Sequence, residues 1–254
     1  GASLVLSDNQ VVIDKYPNPS KNLGSYYEGA KLGDIWGFTT IGIAQSQEEM
    51  DAHLAKVDQS ALGSGWTAGD IMYADLDGDG KVNEGEYTAG KPGDRRIIGN
   101  STPRYNFGLN LDAAWKGFDI KVFFQGTLKR DYAAGGPMFW GATGQGKWQA
   151  LGMKYHSDYW REDNKGAYYP RVSWNGNRNT QTQTRYLQNA AYARLKNITI
   201  GYTLPKELTR KVYIENLRFF VSGENLFTIT NFTEAGDPEL IGAGYGGEIG
   251  KTYP

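Results

Sequence analysis

Tyr105-Asn106-Phe107-Gly108-Leu109-Asn110-Leu111-Asp112-Ala113-Ala114-Trp115-Lys116-Gly117-Phe118-Asp119-Ile120-Lys121-Val122-Phe123-Phe124-Gln125 alternates between apolar and polar residues in two arms joined by a turn. In the first arm Tyr105, Phe107, Leu109, Leu111 and Ala113 fall on one side, with Asn106, Gly108, Asn110 and Asp112 on the other. Beyond a three-residue turn, Trp115-Lys116-Gly117, the residues Phe118, Ile120, Val122 and Phe124 oppose Asp119, Lys121, Phe123 and Gln125. Successive side chains of a strand point to opposite faces, so the spacing predicts a hairpin with one apolar and one polar face. Each arm is about 10 residues, the length a tilted strand needs to cross a bilayer. The polar face suits water. The apolar face suits lipid or a protein core.

Strand pattern recurs on either side of this hairpin. Leu4-Val5-Leu6 and Val11-Val12-Ile13 are short apolar runs that read as a strand or its end. Ile198, Ile200 and Tyr202 share a face within residues 192–204, and Leu217 to Ile229 continues the pattern after a polar connection at 205–215. Residues 14–45 read as a loop. Residues 129–186 have no period, and 232–253 form a last glycine-rich loop. Ser46 at an N-cap with Glu49 three residues on, then Met50, Leu54 and Val57 at helical spacing, predicts one short helix over 47–57. The connections therefore alternate between long and short. A sandwich seldom produces that alternation, whereas an up-and-down membrane barrel does.

Composition narrows the class without choosing it. The 254 residues suffice for one large domain or two small ones. Lys and Arg number 27 against 28 Asp and Glu, so no basic footprint for nucleic acid is present. Cysteine is absent, which excludes disulfides and thiolate metal sites. No apolar run approaches the roughly 18 residues of a membrane helix. Abundant glycine (34 residues) and aromatics (7 Trp, 17 Tyr, 10 Phe) indicate a β-rich chain with long turns, soluble or membrane-embedded. His53 and His156 are far apart and have no nucleophile motif beside them, and no carboxylate pair flanks a cleft, so an enzyme is not expected.

Asp75-Leu76-Asp77-Gly78-Asp79-Gly80-Lys81-Val82-Asn83-Glu84-Gly85-Glu86 has the pattern of a calcium loop, with oxygen donors at alternate positions, glycine at the sixth and glutamate at the twelfth. In that template Asp75, Asp77 and Asp79 give carboxylate oxygens and Lys81 its carbonyl. Asn83 binds directly or through water, and Glu86 clamps with both oxygens. Val82 pins the loop to whatever lies beneath. The flanks are not the paired helices of an EF-hand, and the competing reading is a solvated acidic turn that binds nothing.

Seven ordered blocks also resemble one family, the SusC/RagA-type TonB-dependent outer-membrane transporters. They are Glu28-Gly29 with Trp36-Gly37-Phe38; Gly42-Ile43 ahead of Gln47-Glu48-Glu49; Gly69-Asp70-Ile71 with the acidic loop; Asp94-Arg95-Arg96-Ile97-Ile98-Gly99-Asn100; the hairpin with Phe124-Gln125-Gly126; Arg194 to Pro205; and Val221-Ser222-Gly223-Glu224-Asn225-Leu226-Phe227. Together they cover about residues 26 to 238. The resemblance implies a mainly β fold: antiparallel strands from the C-terminal part of a transmembrane β-barrel, with long extracellular loops and one short helix. Residues 1–103 would be a strand end plus a long extracellular loop region with the helix and the calcium-type loop. Residues 104–254 would be C-terminal barrel strands with two long loops, the final strand missing. The parent protein would import glycans or peptides through the outer membrane of a Gram-negative, Bacteroidetes-like cell, driven by TonB, with a SusD-like lipoprotein as lid. Trp140, Trp148, Trp160 and Trp174 are candidates to stack on substrate, or else residues that pack loops together or line an aromatic girdle. The family usually runs from the acidic loop straight into Asp-Arg, whereas Tyr87 to Gly93 intervene here, so either Glu86 or Asp94 completes the calcium site. The other reading of the whole is a soluble, calcium-stabilised β-rich binding module.

Overall fold

The computed structural model describes residues 1–144, 152–173 and 178–241. Five long strands form one antiparallel sheet in the order β1-β6-β7-β10-β11. They are β1 (Ala2–Ser7), β6 (Arg104–Trp115), β7 (Phe118–Lys129), β10 (Tyr192–Thr203) and β11 (Arg218–Thr230). The order is that of an up-and-down meander. The described strands form an open sheet and do not close on themselves.

Register turns the alternation along each strand into rows across the sheet. Leu4 pairs with Leu109, Leu109 with Phe124, Phe124 with Leu195, and Leu195 with Phe227. A second row runs Ala113, Ile120, Ile200 and Val221, and a third Trp115, Phe118, Tyr202 and Phe219. The opposite face carries Asp112, Lys121, Thr199 and Ser222 in one row, and Asn110, Phe123, Asn197 and Glu224 in another. A one-residue slip would move a whole strand's apolar set to the wrong face, so these rows fix the register. Irregularities in both pairings of β10 at one level keep them aligned. The register shifts between Leu195 and Asn197 in both pairings of β10, which leaves Leu195 in the apolar row and Asn197 in the polar one.

Trp115 pairs with Phe118, so the hairpin turn is the two residues Lys116 and Gly117 instead of the three expected from sequence. Both have positive φ (48° and 89°), the backbone of a type I′ turn, whose twist matches that of the flanking strands. A side chain at Gly117 would meet the Thr203 carbonyl at 2.7 Å.

The hydrophobic core lies away from the sheet. It gathers Phe38, Ile43, Met50, Ile71, Tyr73 and Val82 with Phe139, Trp140, Trp160, Tyr169, Tyr186 and Phe232. These residues come from the loops after β1, after β7 and after β11, which pack into one body at the end of the sheet opposite the hairpin turn. Short ladders brace that body: β2 (Asp34–Gly37) with β5 (Arg96–Asn100), β3 (Thr40–Ile43) with β4 (Ile71–Tyr73), and β8 (Asp131–Ala133) with β9 (Leu187–Asn189). The sequence reads 14–45 as plain loop because strands of three or four residues are too short to show a period. Helix α1 covers Gln47–Leu54, capped by Ser46 and seated on buried Met50. It ends earlier than 57, with Ala55 as C-cap. Glu49 accepts from the Gln45 N–H instead of that of Ser46, so the expected capping box forms one residue displaced. Two shorter α-helical pieces, α2 (Gly136–Trp140) and α3 (Lys206–Thr209), and several 3-10 turns lie among the described residues, and no described helix is long and apolar enough to cross a membrane.

Candidate functional site

The sheet and the loop body together make a wall with a polar face and a folded cap. Apolar residues of the wall stand bare: Phe219 is 62% exposed and Val221 78%. Burying such side chains is worth about 1.5–3 kcal/mol each, so a face of this composition calls for an apolar neighbour. On the polar face, ion pairs span the strands. Arg218 donates to both oxygens of Asp119 at 2.6 and 2.9 Å, passing over Gly201, where a Cβ would meet Asp119 Oδ2 at 2.6 Å. Nearer the loops, Arg194 donates to both oxygens of Asp237 at 2.7 and 2.8 Å and to Glu239 at 2.5 Å. Lys196, the bulge residue, reaches Glu239 at 3.0 Å. These bonds fold the start of the last loop over the polar face.

Buried polar contacts lock the cap. Asp70 is fully buried and accepts from Arg171 at 2.8 and 3.1 Å, from Asn179 at 2.8 Å and from the Thr67 N–H at 3.0 Å, with Arg178 also paired to it. Asn179 in turn accepts from the Ile71 N–H at 2.9 Å. Segments a hundred residues apart are held in this way, and a buried carboxylate is sustainable only when it is so surrounded.

Trp140 and Trp160 are 3% and 9% exposed. Trp140 packs edge-on to Tyr186 at 4.7 Å, and both tryptophans belong to the loop core. Trp148 and Trp174 lie outside the described residues. The open aromatic surface of the cap belongs instead to tyrosines. A cleft of about 540 Å³ between the second and third loops is lined by Lys154, Tyr155, Tyr168, Gln188, Phe232 and Glu234. Its volume lies in the range of small-ligand sites. Sequence reasoning missed it because tyrosines in an aperiodic segment carry no sign of which will be covered.

In the acidic loop the carboxylates of Asp75, Asp77 and Asp94 offer oxygens within 4.8 Å of one another. Asp79 turns back to accept from the Lys81 N–H at 2.8 Å, Asn83 accepts from the Gly85 N–H at 2.6 Å, and exposed Glu86 pairs with Lys91 at 2.6 Å. That partner raises the Lys91 pKa. The geometry thus groups Asp94 with the first two aspartates and leaves Glu86 outside. The reason is the insertion. Residues 85–93 make an excursion that closes on itself between Gly85 and Gly93, both at φ 59°. A Cβ on Gly85 would meet the Lys91 carbonyl at 2.6 Å. The excursion returns Asp94 beside Asn83, and Asp94 accepts from the N–H groups of Leu76 and Asn83 at 2.7 and 2.8 Å. Hydrogen bonds from the Gly78 and Gly80 N–H groups hold the Asp75 carboxyl below its usual pKa, whereas burial, then the charge of Asp77, push that of Asp94 up. Val82 is buried beneath the loop. Hard oxygen donors converging in this way fit calcium or magnesium.

Outer-membrane barrels are built from two-faced antiparallel strands with longer loops at one end, and the described strands form an open sheet of that kind. Comparison with known proteins gives the family. TonB-dependent receptor P3 of Formosa agariphila is 31% identical over 212 residues, 84% of this chain and 19% of that protein. TonB-dependent receptor P26 of the same organism is 24% identical across 89% of the chain and 21% of its own length. Among solved structures, the RagAB peptide importer in its closed-closed state aligns with a TM-score of 0.60 and 26% identity, covering all of this chain and 26% of that one. A second RagAB structure, of the peptide transporter, aligns at 0.60 with 23% identity. No family model matches. Over most of its length the chain is similar to SusC/RagA-type TonB-dependent transporters, and it spans about a fifth of the length of the curated relatives it matches.

Proposed function

We propose that the protein to which this chain belongs imports oligomeric nutrients, glycans or peptides, through the outer membrane, powered by TonB and lidded by a SusD-like lipoprotein. The observation that carries this is the sheet itself. Its apolar rows suit lipid, its polar rows suit a wet lumen, and its loops form a folded body at one end only. The matched relatives are TonB-dependent receptors, and the solved neighbours are peptide importers, which supports transport over catalysis. A soluble module is disfavoured because no described residue covers Phe219, Val221 and Ile200. In this reading the loop body faces outward and the tyrosine-lined cleft is the surface that first meets substrate or lid. Deleting the gene and following uptake of labelled oligosaccharides and peptides is the test. We expect one class to be lost, and unchanged uptake of both would refute the proposal.

The acidic loop is, in the same reading, a structural calcium site formed by Asp75, Asp77 and Asp94. Three carboxylates so close repel one another unless a cation lies between them. The ion would hold the outer loop in shape and take no part in transport chemistry.

A further inference from the structure

The connection between β10 and β11, residues 205–216, has a surface unlike that of a turn that meets only water. Leu208, Val212 and Tyr213 are 53%, 61% and 98% exposed. The backbone that presents them is ordered: Leu208 N–H bonds to the Pro205 carbonyl at 3.0 Å and Ile214 N–H to that of Thr209 at 3.1 Å, with Thr209 buried inside. The connection follows on from the apolar face through Leu204 and Leu217. The last row of the sheet is Trp115, Phe118, Tyr202 and Phe219, and Leu204 N–H bonds to the Leu217 carbonyl at 2.9 Å, carrying the same face one pair further. Interspersed are Lys206, Arg210 and Lys211, all exposed and none in an ion pair with a described residue. Glu207 and Glu215 are the acidic members of the stretch.

Apolar side chains, unpaired bases and an adjoining aromatic belt form the pattern of a segment lying in the headgroup layer of a bilayer. We propose that residues 205–216 anchor this edge of the wall in the phospholipid leaflet at the turn end. Leu208, Val212 and Tyr213 enter the boundary between headgroups and acyl chains, while Lys206, Arg210 and Lys211 bind lipid phosphates. The inference rests on the sheet being a membrane wall, and the test separates the two.

The full-length protein, carrying a single cysteine labelled with a fluorophore, is reconstituted in phosphatidylethanolamine–phosphatidylglycerol vesicles. The label sits at Tyr213→Cys, at Phe219→Cys as wall reference, or at Asp79→Cys as water reference. A label at 213 should be quenched by lipids bearing a nitroxide near the headgroup and protected from iodide, unlike the label at 79. With Lys206→Gln, Arg210→Gln and Lys211→Gln combined, its preference for nitroxide-labelled phosphatidylglycerol over phosphatidylcholine should disappear. Lipid quenching at 219 without any at 213 overturns the anchor and leaves the wall. Protection from iodide at 213 without lipid quenching means that a protein covers the turn, and also overturns it. Absence of lipid quenching at 219 overturns both readings.

Discussion

Asp94 is the residue on which the acidic loop turns. It sits outside the twelve-residue pattern, yet it bonds to the backbone on both sides of the loop and faces Asp75 and Asp77. Asp94→Ala removes an ionised acceptor from two N–H groups and should cost about 1–3 kcal/mol. Glu86→Ala, which breaks only an exposed pair with Lys91, should leave the stability nearly unchanged. Thermal unfolding of the full-length protein in detergent compares the two. The proposed calcium would add a dependence on pH. A carboxyl whose folded pKa is raised stabilises the fold below its unfolded pKa and loses that contribution as pH rises through the folded value. The Asp94 carboxyl is of this kind when no cation is bound, whereas a bound cation favours its charged form. Calcium should therefore raise the melting temperature more at pH 7 than at pH 4, and Asp94→Ala should flatten the difference. No shift at millimolar calcium would remove the ion, because a ligand specific to the folded form must stabilise it.

At the level of the strand, face decides what a substitution does. Val221 and Ser222 are neighbours on β11 and stand in rows on opposite faces. In the proposed wall Val221→Lys puts a charge toward lipid one row in from the aromatic belt, where the cost lies between about 1 kcal/mol at the interface and about 2–4 kcal/mol at mid-membrane. Ser222→Lys meets the row of Asp112, Lys121 and Thr199 and should be tolerated. Heat-modified migration of the assembled protein on gels reads this out, with the Val221 variant losing its folded band at lower temperature. Equal loss from both would contradict the two-faced wall. Element boundaries were partly legible. The long strands were, because period two over a dozen residues is a strong signal, and Ser46 marked the start of α1. The short ladders β2–β5 and β3–β4 were not, since their partners lie 28 or more residues away and each strand is set by its neighbour more than by its own residues.

Considered as a whole, the molecule keeps its buried core in its loops and its apolar surface on its strands, the reverse of a soluble sandwich. Among the described residues, strands β1 and β11 are also open edges, each without a strand partner along one side. Expressed alone in aqueous buffer, the chain should therefore aggregate. It should become monodisperse only in detergent, as light scattering on size-exclusion fractions would show. A stable monomer in plain buffer would revive the soluble module.

Sequence alone determined the two-faced hairpin, the shared face of Ile198, Ile200 and Tyr202 in β10, the alternation of long and short connections and the acidic pattern after Asp75. Each of these is local, fixed by side-chain period or by donor spacing within a dozen residues. Only the tertiary structure decided that Trp140 and Trp160 are buried, that Asp70 binds Arg171 and Asn179, and that Asp94 replaces Glu86 beside Asp75. Those outcomes depend on which distant segments meet, and chain closure over tens of residues leaves no periodic trace in the residues it brings together.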